Sequence, residues 1–212
     1  MLTIKNGYKK YDGREIFRNV NLNFEKNHTY GIIGVNGSGK TVLLKALAGY
    51  IKLTSGQIQQ GERTIREKNN YLEKAGIFIG HPQFLAHLSL WDNLELIRKM
   101  CENHKGIDLE EWLAYFDLTH YKQHKFKNLS MGTKQKMGII QAFMPSSEIL
   151  ILDEPFNPLD QESVNLTYQL IQKYQKNRII ILTSHVQNDI ELLCDQIFRI
   201  ENEQIIDDCS PH

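Results

Sequence analysis

The chain has 212 residues, 41% of them hydrophobic, with 25 Lys and Arg balanced by 25 Asp and Glu. That length holds one globular unit, or one carrying an inserted subdomain, with apolar residues enough for a sizeable core. Balanced charge gives no reason for a broad basic face for nucleic acid or an acidic solvating tail, so no nucleic-acid partner is expected.

Residues 1–30 alternate short apolar stretches with turn signals: Leu2-Thr3-Ile4, then Asp12-Gly13, then residues 19–24 (NVNLNF). That alternation predicts short antiparallel strands. Residues 30–35 (YGIIGV) predict a compact strand running into a glycine-rich loop. Residues 41–49 follow with apolar side chains at helical spacing and a terminal Gly49 suited to a C-cap. From about residue 89 to residue 147 the texture is helical, with Ser89 and Asp108 placed as N-caps. Apolar runs return at residues 149–152 and 179–182 and read as buried strands; IFRI and QII near the C-terminus predict a hairpin. Neither run approaches the ~20 residues needed to cross a bilayer, and no signal peptide is expected. Any membrane role must come through a partner. Cys101, Cys194 and Cys209 are widely spaced with no CxxC pair, which fits a reducing compartment rather than disulfides or zinc. Lys122, Lys125 and Lys127 read as a solvated face. The elements together predict a three-layer α/β core interrupted by a helical insert.

Gly34-Val35-Asn36-Gly37-Ser38-Gly39-Lys40-Thr41 fits G-x-x-x-x-G-K-[ST] between the predicted strand and helix. Glycines let consecutive N–H groups turn inward around a phosphate without Cβ clashes, and the helix N-terminus adds a field that favours an anion. Lys40 would reach the β- and γ-phosphates, the Thr41 hydroxyl would take one Mg²⁺ position, and Val42 continues the binding segment into the helix. Asp153 and Glu154 follow the apolar run 149–152, at the strand edge where ligands of open parallel sheets sit. Asp153 is expected to hold Mg²⁺, leaving Glu154 to orient and polarise the attacking water. His185 ends the other apolar run and is placed to donate to the γ-phosphate.

Leu129-Ser130-Met131-Gly132-Thr133-Lys134-Gln135 resembles the LSGGQ signature of ABC ATPases, with Met131 and Thr133 in place of the usual Gly and Gln. With the phosphate loop, Leu152-Asp153-Glu154-Pro155, Asn157-Pro158-Leu159-Asp160 and His185, five motifs stand in that family's order over essentially the whole chain. The resemblance implies a P-loop NTPase (RecA-like) α/β core with an N-terminal antiparallel β-subdomain and an inserted α-helical subdomain. The core would span 1–80 and 146–212, and the helical part about 81–145. It also implies an ATP hydrolase using ATP and Mg²⁺, dimerising head to tail with a second ATP-binding subunit, identical or not. Leu129, Ser130 and Gly132 would then act on the partner's nucleotide, with Leu159 and Asp160 along the interface. Tyr11 resembles the aromatic that stacks on adenine, with Tyr8 a nearby competitor. An integral membrane permease would be driven from the cytoplasmic face, in export rather than import. A soluble ATPase of cofactor assembly and a weakly hydrolysing subunit paired with an active one are the alternatives. The latter is motivated by a departure: counting back from Leu88-Ser89 puts Gly80 where the family carries a Gln or Glu, whereas residue type points to Gln83. Pro158 is a second departure.

Overall fold

The computed structural model describes residues 1–66, 70–102 and 104–208; Cys209 lies outside them. Strands β1 (Leu2–Tyr11) and β2 (Arg14–Phe24) form an antiparallel hairpin. At its turn Asp12 and Gly13 have φ of 46° and 82°, the mirror-image turn whose twist matches that of paired strands. The strands are therefore long, not the short ones expected. The central strand β3 (His28–Ile33) feeds through the glycine-rich loop into α1 (Lys40–Leu47). Gly49, at φ 79°, ends that helix: its N–H reaches the Ala46 carbonyl, and the Tyr50 N–H reaches that of Lys45. Strands β4 (Ser55–Gln60) and β5 (Arg63–Thr64) then complete a four-stranded sheet in the order β2-β1-β4-β5.

Strand β6 (Ala75–Phe78) is followed by α2 (Leu90–Met100), α3 (Leu109–Tyr115) and α4 (Met131–Phe143). The helical stretch is thus broken into segments, with 3-10 turns at His104–Gly106, Thr119–Tyr121 and Phe126–Asn128. Two caps stand where expected: Ser89 accepts from the Asp92 N–H and Asp108 from Glu110 and Glu111. Ser130 caps α4 in the same way, accepting from the Thr133 N–H. Strand β7 (Ile149–Leu152), α5 (Gln161–Tyr174), β8 (Ile179–Thr183), α6 (Gln187–Leu193) and the hairpin β9 (Gln196–Glu201) and β10 (Gln204–Asp207) complete the chain's described part.

The second sheet runs β10-β9-β3-β8-β7-β6, parallel except for the β9–β10 hairpin. Every residue of β7 and β8 is buried, as a parallel strand covered on both faces requires. Alternate side chains feed two cores. Ile149, Ile151, Ile179 and Ile181 join α1 and the antiparallel sheet on one side. Leu150, Leu152, Ile180 and Leu182 join the helices on the other. This gives three layers. The C-terminal ends of β3, β8 and β7 consequently lie side by side along one edge, in that order.

Candidate functional site

The glycine-rich loop leaves β3 at that edge. Gly37 and Gly39 have φ of 79° and 109°, a region that side chains other than Gly enter only with strain. A Cβ on Gly39 would stand 2.7 Å from Ile16 Cγ2, so the loop lies directly against β2. Gly39 is the N-cap of α1 and no side chain caps that helix, which leaves its first N–H groups for a ligand. The Ser38 hydroxyl is buried without a hydrogen-bond partner among the described residues. Lys40 is 7% exposed and donates to the Gly34 carbonyl at 2.8 Å. A loop so rich in donors and poor in acceptors suits a phosphate.

A chain of short hydrogen bonds joins the three strand ends. Thr41 Oγ1 donates to Asp153 Oδ2 at 2.8 Å, linking α1 to the end of β7. Asp153 Oδ1 accepts from Thr183 Oγ1 of β8 at 2.8 Å, and that hydroxyl accepts from the Glu154 N–H at 2.9 Å. The Glu154 carboxylate lies between two nitrogen groups. His185 Nδ1 is 2.7 Å from Oε2, and Lys40 Nζ is 3.9 Å from Oε1. Glu154 has φ 50°, a left-handed backbone that costs about 1–3 kcal/mol for such a residue and persists only where neighbours hold it. Lys40, Thr41, Asp153, Glu154 and His185 are therefore brought together as the sequence leads one to expect.

The fit to the expected groups follows from this donor set. Thr41 and Asp153 offer adjacent hard oxygens, and Mg²⁺ is bound by few protein oxygens with water and phosphate completing its shell. Beside the loop a cleft of 440 Å³ is walled by Arg14, Glu15 and Ile16, by residues 34–38, and by residues 199–203 of the β9–β10 hairpin. Tyr11 pairs with Arg14 across the β1–β2 turn but stands outside this wall, with Lys9 Nζ 4.2 Å from its ring centroid. Tyr8 pairs with Ser55 of β4.

The signature segment divides. Ser130 is exposed at the start of α4, its hydroxyl accepting from the Thr133 N–H at 3.1 Å. Gly132 approaches the Pro158 carbonyl, which would be 3.2 Å from an added Cβ. Leu129 does not face outward: it is 7% exposed and joins the core with Phe126 and Met137, so the expectation of a partner contact fails for its side chain. Its apolar surface is better buried than presented to water. Asp160 caps α5 by accepting from the Ser163 N–H at 2.9 Å. Phe78, the last residue of β6, accepts from the Asp153 N–H at 2.7 Å. That bond ties the segment leading to Gly80 to the site; Gly80 itself has φ 71°, a Cβ added there would meet no neighbour within 4 Å, and Gln83 is exposed beyond it.

Two residues of the site were missed by sequence reasoning. Thr183 is a hydroxyl at the end of an otherwise apolar buried strand, a signal that was available. Gln135 donates to the Glu154 and Pro155 carbonyls at 3.0 and 3.1 Å, and nothing in its sequence position announces that.

Residues 17–157 match the family described as ABC transporter. The chain is 33% identical over 196 residues to the uncharacterized ABC transporter ATP-binding protein YybJ of Bacillus subtilis, covering 92% of this chain and 90% of that one. It is 33% identical to the lantibiotic transport ATP-binding protein SrtF of Streptococcus pyogenes, over 97% of this chain and 89% of that one. The bacitracin transport ATP-binding protein BcrA of Bacillus licheniformis is 34% identical, over 94% of this chain and 66% of its own length. Among solved structures, the dimeric post-hydrolysis state of the ATP-binding cassette MJ0796 bound to ADP and Pi superposes with a TM-score of 0.83 at 21% identity. That match covers 97% of this chain and 96% of the other, and establishes the P-loop cassette fold. With its phosphate loop, acidic pair and signature helix on that fold, the chain belongs to the ATP-binding cassettes of the ABC transporter family.

Proposed function

We propose that this chain is the ATP-hydrolysing motor subunit of an ABC exporter, closing on ATP with a second cassette and driving a separate membrane permease. The observation that carries the reading is the hydrogen-bonded line from Thr41 through Asp153 and Thr183 to Glu154, with Lys40 and His185 on either side of the Glu154 carboxylate. ATP would lay its phosphates in the glycine loop, where Lys40 exchanges the Gly34 carbonyl for phosphate oxygens, and its nucleoside toward the cleft beside β2. Tyr11 remains the proposed adenine contact, which requires the hairpin tip to turn inward. Thr41 and Asp153 would hold Mg²⁺, which neutralises charge on the phosphates when bound. Glu154 accepts hydrogen bonding from the attacking water and polarises it, and His185 orients that carboxylate and donates to the γ-phosphate. Ser130, the Gly132 backbone and the start of α4 would meet the γ-phosphate of the partner's ATP, a role suited to a helix N-terminus.

Relatives named for lantibiotic and bacitracin transport support a transporter over a soluble assembly ATPase. No helix among the described residues is long and apolar enough to cross a membrane. The proposed permease would supply the path across it, with this cassette on its cytoplasmic side.

Phosphate release from Mg-ATP tests the reading. Glu154→Gln is expected to lower kcat by about 10²-fold or more while ATP stays bound, and Lys40→Ala to weaken nucleotide binding itself. Equal phosphate release by wild type and Glu154→Gln would remove Glu154 from its role.

A further inference from the structure

A residue with a side chain does not stay in the left-handed region unless its peptide groups are held, and Glu154 at φ 50° is held on both sides. Its N–H donates to Thr183 Oγ1 at 2.9 Å. Its carbonyl accepts from Gln135 Nε2 at 3.0 Å, and the same nitrogen donates to the Pro155 carbonyl at 3.1 Å. Both partners are carbonyl oxygens, so chemistry alone requires the amide nitrogen to face them. Gln135 is 5% exposed, and burying a long amide loses rotamer freedom and hydration that packing alone would not recover.

We propose that Gln135 is a positioning residue: it clamps the Glu154 peptide so that the carboxylate stays aimed at the attacking water, and it ties that aim to α4. The proposal rests on the reading of Glu154 as the group that polarises water. Without Gln135 the Glu154 carbonyl keeps only the longer bond from the Asn157 N–H at 3.3 Å, which leaves the peptide freer to relax toward ordinary backbone angles. The Cα–Cβ direction then swings, and the carboxylate leaves its place between His185 and Lys40. A misplacement of about 1 Å costs roughly 10²-fold in rate for groups that must be aligned. Gln135 also sits on α4, the helix that begins at Ser130, so a shift of that helix on meeting a partner's nucleotide would pass to Glu154 through one side chain.

The full chain is tested by phosphate release from Mg-ATP, comparing wild type, Gln135→Leu, Gln135→Glu, Glu154→Gln and the double variant Gln135→Leu/Glu154→Gln. Gln135→Leu is expected to lose about 10-fold or more in kcat with KM changed less than about twofold and far-UV circular dichroism intact. The double variant should be no slower than Glu154→Gln alone, because the clamp then has no carboxylate to aim. Gln135→Glu supplies a pH signature. Its protonated carboxyl donates one bond, whereas the ionised form donates none and repels both carbonyls, so its kcat relative to wild type should fall as pH rises. Should Gln135→Leu not fold, that ratio decides alone. A kcat within twofold of wild type, losses that multiply in the double variant, or a ratio flat with pH would each overturn the clamp. Equal release by wild type and Glu154→Gln would instead overturn the reading beneath it.

Discussion

Asp160 accepts hydrogen bonds from the Ser163 N–H and hydroxyl at 2.9 and 2.8 Å, and Lys136 Nζ approaches to 3.4 Å. The Ser163 bonds first, and Lys136 after them, lower its carboxyl to about 2. A group depressed in the fold stabilises it above the unfolded value of about 3.9, and that contribution is lost as pH falls toward the folded value. Asp160→Ala is expected to cost about 1 kcal/mol in urea denaturation at neutral pH. The gap to wild type should narrow from about pH 4 down toward about pH 2; a constant gap there would show that the cap's charge is unimportant. That Lys40, Thr41, Asp153, Glu154 and His185 come together was legible because a glycine-rich loop opening a helix and polar residues ending buried strands converge on one sheet edge. Thr183 and Gln135 serve the same site by donating to or accepting from backbone and carboxylate. Thr183 at least stands out as a hydroxyl ending an apolar strand, whereas the role of Gln135 leaves no pattern in sequence, since any donor brought there by the fold would do.

Among the elements, α4 is packed closely against β6. A Cβ on Gly76 of β6 would lie 1.8 Å from the Ala142 carbonyl oxygen and 2.7 Å from Leu150 Cδ2, and one on Gly138 would meet the Phe78 ring at 2.6 Å. The helix backbone thus rests directly on the strand, and glycine on each element permits it. Gly76→Ala is expected to destabilise by at least about 1–3 kcal/mol, the usual cost of overpacking, because the obstructing atom is backbone. Gly106→Ala, where an added Cβ meets no neighbour within 4 Å, is the control and should be near neutral. Equal thermal unfolding of the two variants would contradict this account of the contact. Buried strands β7 and β8 and the caps Ser89 and Asp108 were readable because burial on both faces and capping are local demands. Strand β4 was not anticipated, since its segment SGQIQQ has one buried apolar residue and becomes a strand by pairing with β1. Helices α5 and α6 likewise received no assignment from the sequence; α5 buries only Ser163, Thr167, Leu170 and Ile171, a face too polar to stand out.

For the molecule as a whole, the exposed start of α4 leads to a test of assembly. Glu154→Gln is expected to elute as a dimer with ATP and as a monomer without it, and adding Ser130→Glu should restore the monomer by placing a carboxylate against the partner's phosphates. A dimer that forms without ATP, or survives Ser130→Glu with its fold intact, would contradict the proposed head-to-tail arrangement. The sequence by itself determined the phosphate loop, the acidic pair, the buried parallel strands and the helix caps, each of which is dictated by neighbours within a few residues. Only the tertiary structure decided that β3, β8 and β7 lie side by side, that Leu129 turns inward, and that Thr183 and Gln135 hold the Glu154 peptide. Those outcomes depend on strand order and on which helix covers which face, and both are settled by burying two cores at once rather than by any local preference.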